Sequence, residues 1–135
     1  MKNAFIFLAI AVFISSATQA QCKCGASPTS NNWSAFTVTV PLPIRNVKCG
    51  HQFKICAGDS LALKGKFKCI GCNAYYKTVL KKDGAVVAEK GYEMAEIFYQ
   101  NRFTKAGKYE FTITPVCGGS LCRPCTFYIT VVACG

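Results

Sequence analysis

Ten cysteines in a chain of 135 residues restrict its possible folds more than any other feature: Cys22, Cys24, Cys49, Cys56, Cys69, Cys72, Cys117, Cys122, Cys125 and Cys134. All follow a segment with its own character. Met1-Lys2-Asn3 gives a positive start, Ala4 to Ile14 is apolar, and Ser15-Ser16-Ala17-Thr18-Gln19-Ala20 ends in small residues before a plausible cut. Those are the parts of a secretory signal peptide, and the apolar run is too short to span a bilayer. The expected layout is therefore a signal peptide over 1–20 and one mature domain over 21–135, without a membrane span, in a secreted, extracellular or cell-surface location ahead of a periplasmic one. An even cysteine count in an exported chain reads as a disulfide framework. Five bridges, each contributing about 2 to 4 kcal/mol, would make a domain of this size robust outside the cell. Ten cysteines allow on the order of 900 connectivities, so pairing stays open at this level.

Three spacings invite other chemistry. Cys117-x4-Cys122-x2-Cys125 begins like a plant-type [2Fe–2S] run, Cys69-Ile-Gly-Cys72 and Cys122-Arg-Pro-Cys125 are CxxC pairs, and four such thiolates suit zinc. Clusters and zinc need thiolates kept reduced, which export works against. A thioredoxin-like pair needs a helix N-terminus to lower its thiol pKa, and β-type runs follow both motifs (74–80 and 126–132). Structural disulfides are the expectation, with no metal and no cofactor.

The mature chain alternates with period two. Phe36, Val38 and Val40 alternate with Ala35, Thr37 and Thr39; Leu61, Leu63, Gly65, Phe67 and Cys69 with Ala62, Lys64, Lys66 and Lys68; Tyr109, Phe111 and Ile113 with Glu110, Thr112 and Thr114; Phe127, Ile129 and Val131 with Tyr128, Thr130 and Val132. Each pattern predicts a strand with one buried face. Asp83-Gly84 between Tyr75–Lys82 and Ala85–Lys90 predicts a hairpin on a type I′ turn. Pro41-Leu42-Pro43 ends the first strand, since proline donates no ladder hydrogen bond. Only 92–100 has any helical spacing, and Ile97-Phe98-Tyr99 suits a strand equally. Seven or eight short strands predict an all-β fold, a single Ig-like β-sandwich stapled by about five disulfides. Gly107 and Tyr109, opening a penultimate strand, match the tyrosine corner of such domains.

The order Cys22-x-Cys24-Gly25, Trp33, Cys49-Gly50, Cys56, Cys69, an aromatic strand, Gly107-x-Tyr109, Cys117-Gly118-Gly119, Cys122-x2-Cys125 and a final strand resembles a cysteine-rich Ig-like or PKD-like module of secreted Bacteroidetes proteins. The resemblance covers the mature chain, and its most specific stretch is 107–131. It implies a non-catalytic building block of extracellular proteins. Asp59-Ser60-Leu61 also resembles the short O-glycosylation sequon of that phylum, and Asn32-Trp33-Ser34 fits N-x-S.

Strand order sorts the cysteines further. Loops after 61–69 and 109–116 share one end of a sandwich, so Cys69, Cys72, Cys117, Cys122 and Cys125 are expected there, with Cys49, Cys56 and Cys134 at the other. Both groups are odd, so Cys22 and Cys24 are expected to supply one partner to each. Extended, 22–32 spans about 35 Å and reaches either end.

Catalytic candidates are sparse, and no enzyme activity is expected. His51 is the single histidine; Asp59 and Asp83 sit in turns where carboxylates bond local backbone; Glu93 and Glu96 share a face only if their segment is helical. The formal charge is +10, one unit less after loss of Lys2. Lys64, Lys66 and Lys68 share parity and project from one face about 6 to 7 Å apart, with Lys54, Lys77, Lys81 and Lys82 expected nearby. Such a stripe suits acidic polysaccharide, lipopolysaccharide or extracellular DNA; a solvated face that discourages edge pairing is the plainer account. Tyr75, Tyr76, Tyr92, Tyr99 and Tyr128 are candidate stacking aromatics. The leading function is a structural or adhesive module, and a freestanding module without an anchor is expected to act as many copies, in a fibre or matrix. The candidate assembly strand runs from Trp33 through Phe36 and Val38 to Val40; it can join its own sheet, the favoured outcome, or a neighbour's edge. The alternative function is polyanion binding by the stripe, and the last is an exported thiol–disulfide protein.

Overall fold

The computed structural model describes residues 22–24, 33–93 and 96–135; the signal-peptide expectation and the polar stretch 25–32 lie outside them. Among the described residues there are ten strands: β1 (Phe36–Val40), β2 (Ile44–Val47), β3 (Gln52–Cys56), β4 (Ser60–Gly65), β5 (Tyr75–Lys82), β6 (Ala85–Glu93), β7 (Ile97–Arg102), β8 (Gly107–Cys117), β9 (Ser120–Leu121) and β10 (Cys125–Val132). One sheet runs β2-β1-β4-β7. The other runs β3-β10-β8-β5-β6, with β9 on β8. Every pairing is antiparallel except β3 with β10, which is parallel from Gln52 opposite Tyr128 to Cys56 opposite Val132. With β4, β5, β7, β8 and β10 standing as strands B, C, E, F and G, this is the Ig-like sandwich, carrying a C′ strand in β6.

Alternation drives the two sheets together. Phe36, Val38, Leu61, Leu63, Ile97 and Tyr99 from the first meet Tyr76, Leu80, Phe111, Ile113, Phe127 and Ile129 from the second in one buried cluster. Burying each such side chain contributes roughly 1.5 to 3 kcal/mol. Phe36 stands edge-on to Phe127 at 4.9 Å, and Tyr99 stacks on Phe111 at 3.8 Å. Gly65 leaves room for the first contact, because a Cβ there would collide with the Phe36 ring. Val40 departs from its expected inward parity: the register shifts between Val38 and Val40, and its side chain is 37% exposed.

The hairpin turns as its residues require, with Asp83 at φ 49° and Gly84 at φ 89°. Asp83 Oδ1 then accepts the Lys108 N–H at 3.1 Å, and its N–H donates to the Lys108 carbonyl at 2.8 Å, tying the turn to the start of β8. The tyrosine corner is present too: the Tyr109 hydroxyl donates to the Lys105 carbonyl at 2.8 Å. The helix-like spacing near residue 97 resolves as strand β7, because Ile97 and Tyr99 fill core positions across the sheet from β5 and β8.

Tyr76 is the fully buried polar aromatic. Its hydroxyl accepts the Phe67 N–H at 2.9 Å, closing the chain where β4 has ended. Burial raises its pKa above the usual 10.0; the Phe67 hydrogen bond opposes the rise and nearby Glu96 adds to it. The folded state therefore retains a proton that the unfolded chain loses first, so this contribution to stability is complete below pH 10 and declines as pH rises above it. Tyr76→Phe is expected to cost about 1 to 3 kcal/mol at neutral pH by leaving a buried N–H unpaired, and to flatten the alkaline decline. Urea titrations at pH 7 and above pH 10 would measure both.

Candidate functional site

Sheet geometry brings four of the five disulfides to one end of the sandwich. Cys22 bonds Cys72, Cys24 bonds Cys122, Cys69 bonds Cys117 and Cys49 bonds Cys125; Cys56–Cys134 lies at the other end. Their Cα–Cα distances fall between 5.2 and 5.7 Å, inside the usual disulfide range. All ten cysteines are paired.

This corrects the expected sorting in two places. Cys22 and Cys24 both go to the same end, and Cys49 joins that end with Cys125. The cause is the parallel pairing of β3 with β10: Cys49 and Cys125 stand at the starts of two strands running the same way, and Cys56 and Cys134 at their finishes. Neither CxxC motif closes on itself, so Cys69-x2-Cys72 and Cys122-x2-Cys125 are not internal redox pairs here. The sulfurs of Cys22, Cys69 and Cys72 lie within 4.8 Å of one another, as do those of Cys24, Cys117 and Cys122. Each trio holds one whole disulfide and half of Cys69–Cys117, so three bridges pack side by side.

Residues 22–24 and 33–34, ahead of β1, are tied into this end. Lys23 and Ile70 exchange backbone hydrogen bonds at 3.0 and 2.8 Å. Gly118, at φ 59°, passes so close to Cys22 that a Cβ would sit 2.6 Å from the Cys22 carbonyl oxygen. Trp33 lies over the aromatic end of the core, 5.3 Å from Phe36, 5.1 Å from Phe67 and 5.9 Å from Tyr76 between ring centres, and its Nε1 donates to the Arg123 carbonyl at 3.1 Å. The candidate assembly strand is thus seated in its own chain: β1 is hydrogen-bonded to β2 on one side and β4 on the other, with Phe36 and Val38 fully buried.

Lys64, Lys66 and Lys68 are all exposed, while Gly65, Phe67 and Cys69, which alternate with them, are buried. Lys64 lies on the outer face of the first sheet between Thr37 and Phe98, and the backbone at Lys66 pairs with Ser34. The expected neighbours of this stripe lie elsewhere: Lys54 on β3 and Lys77, Lys81 and Lys82 on β5 belong to the second sheet. Parity fixes a face of a strand but not the sheet it joins.

The acid and base candidates serve the backbone. Asp59 Oδ2 accepts the Cys56 N–H at 3.0 Å, and Asp83 caps β8 as described. His51 packs its ring on Phe53 at 4.6 Å. Glu96 is exposed, and the Glu93 side chain lies outside the described residues. Of the stacking candidates, Tyr76 and Tyr99 are core, Tyr75 is half-buried over Gly91, Tyr128 is exposed, and the Tyr92 side chain lies outside the description. Among the described residues no helix is long and apolar enough to cross a membrane.

No family model and no curated protein matches the chain. Among solved structures it is similar to domains d3–d4 of the extracellular region of rat CD45, at 15% identity over 96% of this chain and 83% of that one, with a TM-score of 0.39. A likeness that loose carries no argument; the Ig-like assignment rests on strand order, the parallel β3–β10 edge and the tyrosine corner.

With Cys49–Cys125 closed, Cys56–Cys134 completes a ring of only roughly 16 residues, worth about 3 kcal/mol in the chain-entropy account. Replacing Cys56 and Cys134 together by Ala is expected to lower unfolding stability by about that amount while the other four bridges still form, as chemical denaturation and peptide mapping would show.

Proposed function

We propose that this chain is a secreted, non-catalytic extracellular module with a structural or adhesive role, in which the sandwich is a rigid support and the outer sheet faces make the contacts. The observation that carries the reading is the pairing of all ten cysteines, with four bridges concentrated where the long loops and the N-terminal segment meet. Such a framework suits an oxidising compartment. The turn carboxylates and the histidine are engaged with local structure, which favours contact over chemistry. Self-association by strand addition would use a free sheet edge instead of β1; β6, with Val86 and Val87 half-exposed, is the longest of these edges.

Expression behind the native leader tests the secreted reading. The exported protein is expected to begin at Gln21 and to weigh about 10 Da less than its fully reduced form, one hydrogen per cysteine. Retention in the cytoplasm, or recovery with reactive thiols, would overturn it.

A second reading has an observation of its own. Lys64, Lys66 and Lys68 are exposed at alternate positions from the end of β4 toward Cys69 at the disulfide end, and we propose that they bind acidic polysaccharide or another polyanion. Retention on heparin is expected to fall steeply with salt as counterions are released, and to weaken when all three lysines become Gln. Retention unchanged by that substitution would assign the lysines to solvation alone.

A further inference from the structure

The outer face of the second sheet carries a shallow groove of about 310 Å³ close to the β5–β6 turn. Its floor comes from one row of the sheet: Gln52 on β3 stands opposite Tyr128 on β10, which stands opposite Glu110 on β8. Lys108 and Thr130 make the next row, and the Asp83 turn, held by its two hydrogen bonds to the Lys108 backbone, forms the wall. Tyr128 is 42% exposed although it lies in an inner strand of the sheet, so its ring is presented to solvent from a rigid base.

An aromatic ring lying open among amide, carboxylate and ammonium groups matches the two-sided chemistry of a sugar. A pyranose presents a C–H face that packs on an aromatic ring and an equatorial rim of hydroxyls that both donate and accept. Gln52 offers both kinds of partner, Glu110 and Asp83 accept, and Lys108 donates. Lys81 stands opposite Glu110 and Lys54 opposite Thr130 in the same two rows, so charges of both signs surround the groove and contact with the ring sets its preference. A second depression on the same face, of about 370 Å³, is lined by Tyr75 with Lys77 and Glu89. Counting rows along β8 and strands across it, the two tyrosines are roughly 22 Å apart. A continuous sheet face of that length suits an extended β-1,4-linked chain, which runs as a near-straight ribbon, better than a coiled α-linked one.

We propose that the outer face of the second sheet binds a neutral β-1,4-linked hexopyranose oligosaccharide, with Tyr128 as the stacking anchor and Gln52, Glu110 and Lys108 as hydroxyl partners. This site is independent of the lysine stripe, and its failure would leave the secreted-module reading standing.

The test is an amide NMR titration of the secreted, oxidised protein with cellohexaose, with cellobiose and maltohexaose as comparisons. Cellohexaose is expected to shift the amides of Gln52, Glu110 and Tyr128, to bind more tightly than either comparison sugar, and to keep its affinity between low and high salt. Tyr128→Ala is expected to weaken binding about tenfold or more. Tyr128→Phe, which keeps the stacking face, is expected to retain most of it. The side chain lies outside the core, so an unchanged spectrum elsewhere verifies that both variants fold. No shift with cellohexaose at millimolar concentration, equal binding of maltohexaose, a steep salt dependence, or binding unaffected by Tyr128→Ala would each overturn the proposal.

Discussion

The covalent closure of one end of the sandwich is the constraint on which the rest depends. Where β4, β8 and β10 meet the segment around residues 22–24, Cys22–Cys72, Cys69–Cys117 and Cys24–Cys122 lie side by side, and Cys49–Cys125 ties in the β3 edge. A chain of this length has enough apolar surface to fill the space between two sheets. It has too little to cover long loops as well. Bonds between sulfurs hold those loops, with Trp33 covering the aromatic end of the core beneath them.

Holding that end covalently frees the sheet faces from a structural role. The inward positions of β4, β5, β8 and β10 are occupied by the core, and the outward ones carry Lys64 on the first sheet and threonines, tyrosines and charges of both signs, Lys77, Lys81, Lys108 and Glu110 among them, on the second. The two faces therefore differ in the ligands they favour. The lysine run that begins at Lys64 on the first would act through charge, at a distance and screened by salt. The second combines a fixed aromatic with donors and acceptors of both signs, which act only in contact.

Much of this was legible in the residues, and the reasons for the misses are physical. Alternation located β4, β8 and β10 because each has one dry and one wet face, and Asp83-Gly84 located the hairpin because only such residues accept two positive φ angles. The Gly107–Tyr109 spacing foretold the hydrogen bond to Lys105. Ile44–Val47 gave no such signal: it is a short edge strand, with three of its four residues exposed and Asn46 at φ 61°. The disulfide map failed at Cys49 for a different reason. Alternation says which face of a strand is buried but nothing about the direction of its neighbour, so a parallel edge was invisible. The same blindness set Lys54, Lys77, Lys81 and Lys82 near the Lys64 stripe although they belong to the other sheet, and it hid the Tyr128 groove, whose residues come from β3, β8, β10 and the β5–β6 turn and meet only through register.

The most direct test of the account is a disulfide map of the secreted protein, from non-reducing proteolysis and mass spectrometry. The account predicts Cys49–Cys125 and Cys56–Cys134 as the two ties along the parallel edge, with Cys22 and Cys24 bonded to Cys72 and Cys122. A bond within either CxxC motif, or Cys49 paired with Cys56 or Cys134, would contradict it.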